Sequence, residues 1–508
     1  MKRKKNIYRN IIIECKDNLH FFTLNDKINM LGGKMEKIRR VINFKNITIE
    51  NILCLFIIMC PILDMLSFIF RNTFNTSISP STIIRPIIPV AVIIYLFFKN
   101  DKKFKFWTIG IGSIYFIYGV IHLIVFRTAI TGSSYSGITH EAQYIINYTF
   151  MILNLFLYVY TFKDNKNAEK LSKSVLIASG IYIFSIFISI LTKTSSSTYI
   201  EGMGYKGWFE SGNSIGSILI LSLFIILKYI TDKKYRIFAI IIILLEAIFL
   251  TILLGTRVGL LGFIIAIAAY VFSEIVSSLL KKKKINKKTI ALGIAIICSI
   301  LLVIITVGST TIQRRKHLQD IEKNIVDNNQ ESHITGSLLE IKEKIEAGTL
   351  EEGYMDEPQK KSIMELYNVA NKWQIKNNDQ RMQQLIYNTA LVKNQKNPIY
   401  ILFGNGYVAN FRELVMEMEV PSLLYNFGIV GFILYIMPFI SISLYGIYFG
   451  VKNIGKIDSE YIMLTLGCLF VFALSFFAGY VFFNSSNMMI IVVLNTLLIN
   501  KIEKEKSL

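Results

Sequence analysis

Glu417-Met418-Glu419 sets two carboxylates two residues apart, shortly after Arg412-Glu413 and just before an apolar run. At the edge of an apolar region such a pair offers a general base for activating a hydroxyl. A solvated acidic helix end is the plainer use of the same residues. Arg257 stands in Gly255-Thr256-Arg257-Val258-Gly259, a turn of almost no length between two apolar runs. The second run starts there, so free helix N–H groups and the helix dipole would join the guanidinium in holding an anion. Arg also suits bidentate phosphate recognition, although an anchor to lipid headgroups needs no more than this. The stretch 206–213 groups Lys206, Trp208, Glu210 and Asn213. That mixture suits sugar hydroxyls and an aromatic stacking face, and it is equally an ordinary interfacial belt. Arg85 lies inside an apolar run, and Asp64, just beyond Pro61 in the preceding run, sits at a depth from which it could pair with Arg85. Glu246, in the middle of another run, reads as structural. His140-Glu141 is a weak pair, and His317 and His333 lack metal-ligand spacing. No phosphate-binding P-loop, dinucleotide fingerprint or zinc motif occurs.

The elements that must position these groups follow from composition. The chain has 508 residues, 53% of them hydrophobic, only 18% charged and 13% aromatic; its mean hydropathy is +0.48. A globular domain carries about 25% charged residues, so the excess apolar surface points to an all-α polytopic membrane protein. A spanning helix needs about 20 apolar residues. Runs of that kind lie near 51–71, 82–98, 106–127, 143–162, 173–192, 213–230, 235–254, 257–280, 288–308, 421–447, 461–482 and 484–500. These predict about twelve transmembrane helices: nine within 51–308 and three within 421–500.

The net charge of +20 then becomes a topology signal. With a cytoplasmic N-terminus, the inner segments, including the basic arm 1–50 and the tail 501–508, hold 35 of the 55 Lys and Arg. Six remain at the short outer loops and helix mouths: Arg71, Arg85, Arg127, Lys193, Lys206 and Arg257. The other 14 lie in 309–420, and long translocated segments escape the positive-inside rule. Both termini are therefore expected in the cytoplasm, with no role for the charge in binding nucleic acid. Met35 opens a second plausible start. No cysteine falls in an outer loop, so neither disulfides nor a Cys-based metal site is expected.

Residues 309–420 form the one long hydrophilic segment, nearly neutral in charge. Helical spacing appears in 337–347, in Ile363, Leu366, Tyr367, Ala370 and Trp373, and in Met382, Leu385, Ile386 and Thr389. A helical cap outside the membrane is expected before the last three spans.

Three local patterns carry a resemblance. They are Phe209-Glu210-Ser211-Gly212-Asn213-Ser214-Ile215-Gly216, Gly255-Thr256-Arg257-Val258-Gly259-Leu260-Leu261-Gly262, and Phe403-Gly404-Asn405-Gly406-Tyr407 followed by 417–419 and by Tyr425-Asn426-Phe427-Gly428-Ile429-Val430-Gly431. With about twelve spans and one large outer loop before the last three, the chain resembles the O-antigen polymerase / O-antigen ligase family. The resemblance implies a C-type glycosyltransferase fold in the bacterial inner membrane with an outward-facing site. It implies metal-independent polymerisation of undecaprenyl-diphosphate-linked glycans, with no cofactor. Arg257 matches a motif position for an Arg that holds the lipid diphosphate. Arg412, Arg381, Arg314 and Arg315 are looser candidates, and Arg85, Lys206, Glu210, Asn213 and Tyr407 complete the expected substrate contacts. Glu419 or Glu417 is the expected base. The ligase branch carries a His shortly before its Gly-x-x-Gly run; this chain has none there, which favours the polymerase branch. A flippase and a chain-length regulator are the protein partners such an enzyme implies. A ligase acting on another acceptor, or a transporter of lipid-linked oligosaccharide, is the alternative.

Overall fold

Leu219 to Leu227, in the middle of the chain, are all buried, and the helices pack outward from them. The computed structural model describes residues 48–74, 79–99, 102–129, 132–162, 165–199, 202–281, 310–317, 337–375, 379–408, 414–479 and 481–507. Most of the basic arm, the expected span at 288–308, His333, and the candidates Arg412 and Glu413 lie outside the described residues. Eleven of the described helices are long and apolar enough to cross a membrane. The chain is thus an all-α polytopic membrane protein.

The spanning helices are α1 (Ile49–Phe74), α2 (Pro80–Lys99), α3 (Lys102–Ala129), α4 (Ile138–Thr161), α5 (Asn165–Leu191), α6 (Gly212–Ile226), α7 (Arg236–Ile248), α8 (Arg257–Leu280), α13 (Glu419–Lys452), α14 (Ser459–Phe477) and α15 (Ser485–Ser507). A 3₁₀ turn, Leu227–Ile230, extends α6, and a π-helical turn, Phe249–Leu253, extends α7. A small antiparallel hairpin, β1 (Ser196–Ser197) with β2 (Tyr205–Gly207), precedes α6. Burial separates core from wall: 89% of the apolar window of α6 and 83% of that of α15 are buried, against 22% for α2 and 33% for α3. Helices apolar all round belong in the centre. Large exposed side chains such as Phe98, Phe116 and Ile237 cover the wall, as lipid contact requires.

The cap contributes α9 (Ser337–Glu346), α10 (Glu357–Lys372), α11 (Gln380–Gln395) and α12 (Ile399–Phe403). A capping box at Asp356 and Gln359 starts α10. The expected stripe on α10 is half right: Ile363, Leu366 and Ala370 are buried, while Trp373 is 71% exposed at the helix end. On α11 the buried face is shifted by one position. Met382 and Thr389 are exposed, and Tyr387 and Leu391 point inward with Gln383, Gln384 and Asn388. The amides and the tyrosine ring carry that face, so an apolar stripe alone misplaces it. The cap core reaches down to Phe126 of α3, Tyr135 and Val408.

Candidate functional site

The two glycine runs of the third sequence pattern, 403–407 and 425–431, form one structural unit. Helix α13 breaks at Gly428, which has φ +69°, so the carbonyls of Tyr425 and Asn426 lose their next-turn donors. Asn405 N–H and Gly406 N–H take them over, at 3.0 Å each. Inside a membrane every backbone group must find such a partner. The approach is close: a Cβ on Gly404 (φ +88°) would collide with the Asn426 carbonyl, and one on Gly428 with the Leu402 carbonyl. Gly404 and Gly428 therefore exist for each other, while Gly406 makes room for the Phe126 ring and Gly431 for the Tyr118 hydroxyl.

Beside this joint lies a pair that composition does not advertise. His122 of α3 and Glu141 of α4 are both fully buried and lie 2.8 Å apart (Nε2 to Oε1). His122 Nδ1 meets the Phe403 carbonyl at 2.6 Å; that oxygen can only accept, so Nδ1 carries a proton. Glu141 also accepts from Ser136 Oγ (2.8 Å) and Tyr407 N–H (3.1 Å). Of the weak sequence pair His140-Glu141, His140 is exposed, and Glu141 instead has His122 as its partner. His122 was findable as an ionisable residue within a span, where such groups face the interior. Tyr407 is held over this pair, buried and stacked on Tyr144 at 3.9 Å.

The two neighbouring carboxylates differ in kind. Glu419 is buried and accepts three backbone N–H groups, from Val481 (2.8 Å), Phe482 (2.6 Å) and Phe483 (3.0 Å). It anchors the loop between α14 and α15. Glu417 stays 46% exposed, with Arg381 Nε at 3.3 Å, and Arg381 Nη1 donates to the Phe477 carbonyl at 2.5 Å. Exposed ion pairs of this sort are weak, so Glu417 can exchange Arg381 for another partner.

On the same face, the turn before α8 gathers a second group. Thr256 caps α8 by accepting from Gly259 N–H, and Arg257 is exposed at the helix start without an ion pair among the described residues. Thr198 Oγ1 donates to the Leu254 carbonyl (2.8 Å) and Thr310 Oγ1 to the Ile252 carbonyl (2.7 Å). The hairpin and residues 310–317 are thereby tied to this turn. Arg314 lies over the Tyr199 ring at 3.4 Å, and Arg315 is exposed. Lys206 Nζ donates to the Glu210 carbonyl oxygen at 2.9 Å, while the Glu210 carboxylate pairs with Arg71 at 2.7 Å. Burial pushes the Glu210 carboxyl above its usual value against the pull of Arg71. Burial also draws the Lys206 ammonium below its usual value, and Glu210 opposes this. Asn213 stands half-buried in the first turn of α6.

Arg85 pairs with Asp64 as the sequence allowed, both largely buried. Tyr182 (2.5 Å) and Ser486 (2.6 Å) donate to the same carboxylate, and Arg85 also reaches Ser486 at 2.9 Å. Arg71, Tyr182 and Ser486 were not singled out from sequence; a lone loop Arg and two common hydroxyl residues carry no local signal. Residues 481–486 join the two groups: 481–483 donate to Glu419, and Ser486 donates to Asp64. Among the described residues no three His, Cys, Asp or Glu converge as metal ligands would.

A family model described as an O-antigen ligase like membrane protein matches residues 45–505. The chain belongs to that family. The match covers nearly the whole chain, and the family is one of membrane proteins associated with glycosyl transfer. No curated protein and no solved structure matches the chain.

Proposed function

We propose that this O-antigen ligase-like protein polymerises undecaprenyl-diphosphate-linked oligosaccharide repeat units into a surface polysaccharide. The face carrying Arg257, Glu210 and Glu417 is then the extracytoplasmic one, both termini are cytoplasmic, and the membrane is the bacterial inner membrane. The observation that carries this reading is the division of labour on that face. Arg257 is unpaired among the described residues and exposed at a helix start, and Glu417 is an accessible carboxylate some distance along the same face.

The acceptor hydroxyl attacks the donor's anomeric carbon as its proton passes to Glu417. The new C–O bond forms while the bond from that carbon to the diphosphate oxygen breaks, and the electron pair leaves with the lipid diphosphate. Arg257, backed by the first turn of α8, offsets the charge growing on that leaving group, with Arg314 and Arg315 nearby. One displacement inverts the anomeric carbon, and the reading needs no metal or cofactor. Arg85 keeps its Asp64 partner and sets the floor of the site. Lys206, Glu210 and Asn213 meet sugar hydroxyls; Tyr407, buried against Tyr144, holds Glu141 in place through its N–H; Arg381 releases Glu417 as substrate enters. The proposed partners are the lipid-linked glycan, the bilayer, a flippase and a chain-length regulator.

The family description itself favours a second reading, transfer of the glycan to a different acceptor by ligation. Reconstitution of the purified protein with a lipid-linked repeat unit separates the readings. A ladder of longer lipid-linked products is the expected result. Transfer only to an added second acceptor marks a ligase, and translocation without bond formation marks a transporter and ends the proposal.

A further inference from the structure

The face opposite Arg257 holds a cavity of about 360 Å³ lined by residues of α6, its 3₁₀ extension, α8, α14 and α15. Helix α8 crosses the membrane as an apolar rod, yet its last three turns present Tyr270, Glu274, Ser277, Ser278 and Lys281 to this cavity. These positions fall on one helical stripe. The other charges around the cavity are already satisfied. Lys228 Nζ sits between Glu460 (2.7 Å) and Glu169 (3.1 Å), and Lys501 Nζ between Asp458 (2.6 Å) and Glu460 (3.0 Å).

The α8 stripe is left over. Neither Glu274 nor Lys281 has a side-chain hydrogen bond or ion pair among the described residues. Tyr270 is only 3% exposed, and its hydroxyl lacks a hydrogen-bond partner among the described residues. A buried hydroxyl without a partner is costly, so this one is placed to bond whatever occupies the cavity. Glu274 and Lys281 are seven residues apart, roughly 10 Å along the axis. Both side chains lean toward the N-terminus, so their charges keep about the same spacing along the axis. An anion and a cation so spaced on one cavity wall can engage the two ends of a small molecule that carries both charges.

We infer that this cavity binds a phosphate-and-primary-ammonium headgroup, the ammonium on Glu274 and the Tyr270 hydroxyl, the phosphate on Lys281. The cavity lies where α8 and the 3₁₀ turn end and α14 begins, at the ends of membrane-crossing helices. This inference stands independently of the glycan chemistry on the other face.

The full-length protein, purified in detergent and equilibrated with equal amounts of phosphatidylethanolamine, phosphatidylglycerol and phosphatidylcholine, is read by native mass spectrometry. Phosphatidylglycerol lacks the ammonium, and phosphatidylcholine lacks its N–H donors. Phosphatidylethanolamine is expected to be retained about tenfold over both, as loss of a charged hydrogen bond implies. Glu274→Gln is expected to erase that preference. Tyr270→Phe, which keeps the ring and the packing, lowers it about threefold. Soluble O-phosphoethanolamine that displaces the lipid identifies a free metabolite as a sufficient ligand, and failure to displace it identifies the membrane as the source. Equal retention of the three lipids, or an undiminished preference in both variants, overturns the inference.

Discussion

Lys228 and Lys501 on one face of the bundle, and Arg257 on the other, show two uses of a cation in a membrane protein. The two lysines are 22% and 12% exposed, and each lies between two carboxylates. They join α5, α6, α14 and α15, and their charge is spent within the protein. Arg257 is exposed at a helix start with no counter-charge among the described residues. A charge with its partners built in holds structure, and one without them is available to a ligand. The same contrast separates Glu419, satisfied by three backbone N–H groups, from Glu417, loosely paired and half-exposed.

The comparison breaks first at the carboxylates. Glu417→Gln is expected to reduce glycosyl transfer about a thousandfold, the scale of a lost general base, at an unchanged melting temperature. Glu419→Gln should instead lower the melting temperature by unseating residues 481–483; equal kinetics for the two variants would erase the distinction. Next, Arg257→Ala should cost about a hundredfold in turnover, as for other lost donors to a developing anion, with Arg257→Lys partly active.

The lysines should answer oppositely. Lys228→Met leaves Glu169 and Glu460 short of a counter-charge and is expected to destabilise by about 1–3 kcal/mol, measured by thermal unfolding. Activity per folded molecule should persist. Loss of activity at full stability would place the network in the mechanism.

The smallest effect concerns pH. The Glu210 carboxyl is raised by burial above its ordinary value of 4.5, so the fold favours its protonated form. That contribution is present at low pH and fades as pH climbs from the ordinary carboxylate range through the raised value. Glu210→Gln should flatten this part of the melting-temperature profile, and an unchanged profile would show that Arg71 fully compensates the carboxylate.

How much of this was legible in the sequence depends on the length scale of the signal. Spans such as α6 and α8 were readable because about 20 consecutive apolar residues suffice to announce them. Asp64 and Arg85 were readable as a pair because ionisable groups in spans seek each other. The Gly404 and Gly428 patterns were visible as motifs, but their mutual approach across 24 residues was not. His122 and Glu141 escaped because the pair joins two helices and the adjacent His140 offered a local decoy. Glu417 and Glu419 looked equivalent, since the three N–H groups that distinguish them come from more than 60 residues away. On α11, a face built from Gln383, Gln384 and Tyr387 defeated a search for apolar residues.

The central claim is that the Arg257 face breaks a sugar–diphosphate bond each time it makes a glycosidic one. The direct test follows undecaprenyl diphosphate released from a reconstituted lipid-linked repeat unit, alongside product length, for the native protein and Arg257→Ala. One lipid diphosphate released per bond formed, and both falling together in Arg257→Ala protein that remains folded, is the predicted result. Longer glycan without lipid diphosphate release, or full release and elongation by the Arg257→Ala protein, would contradict it.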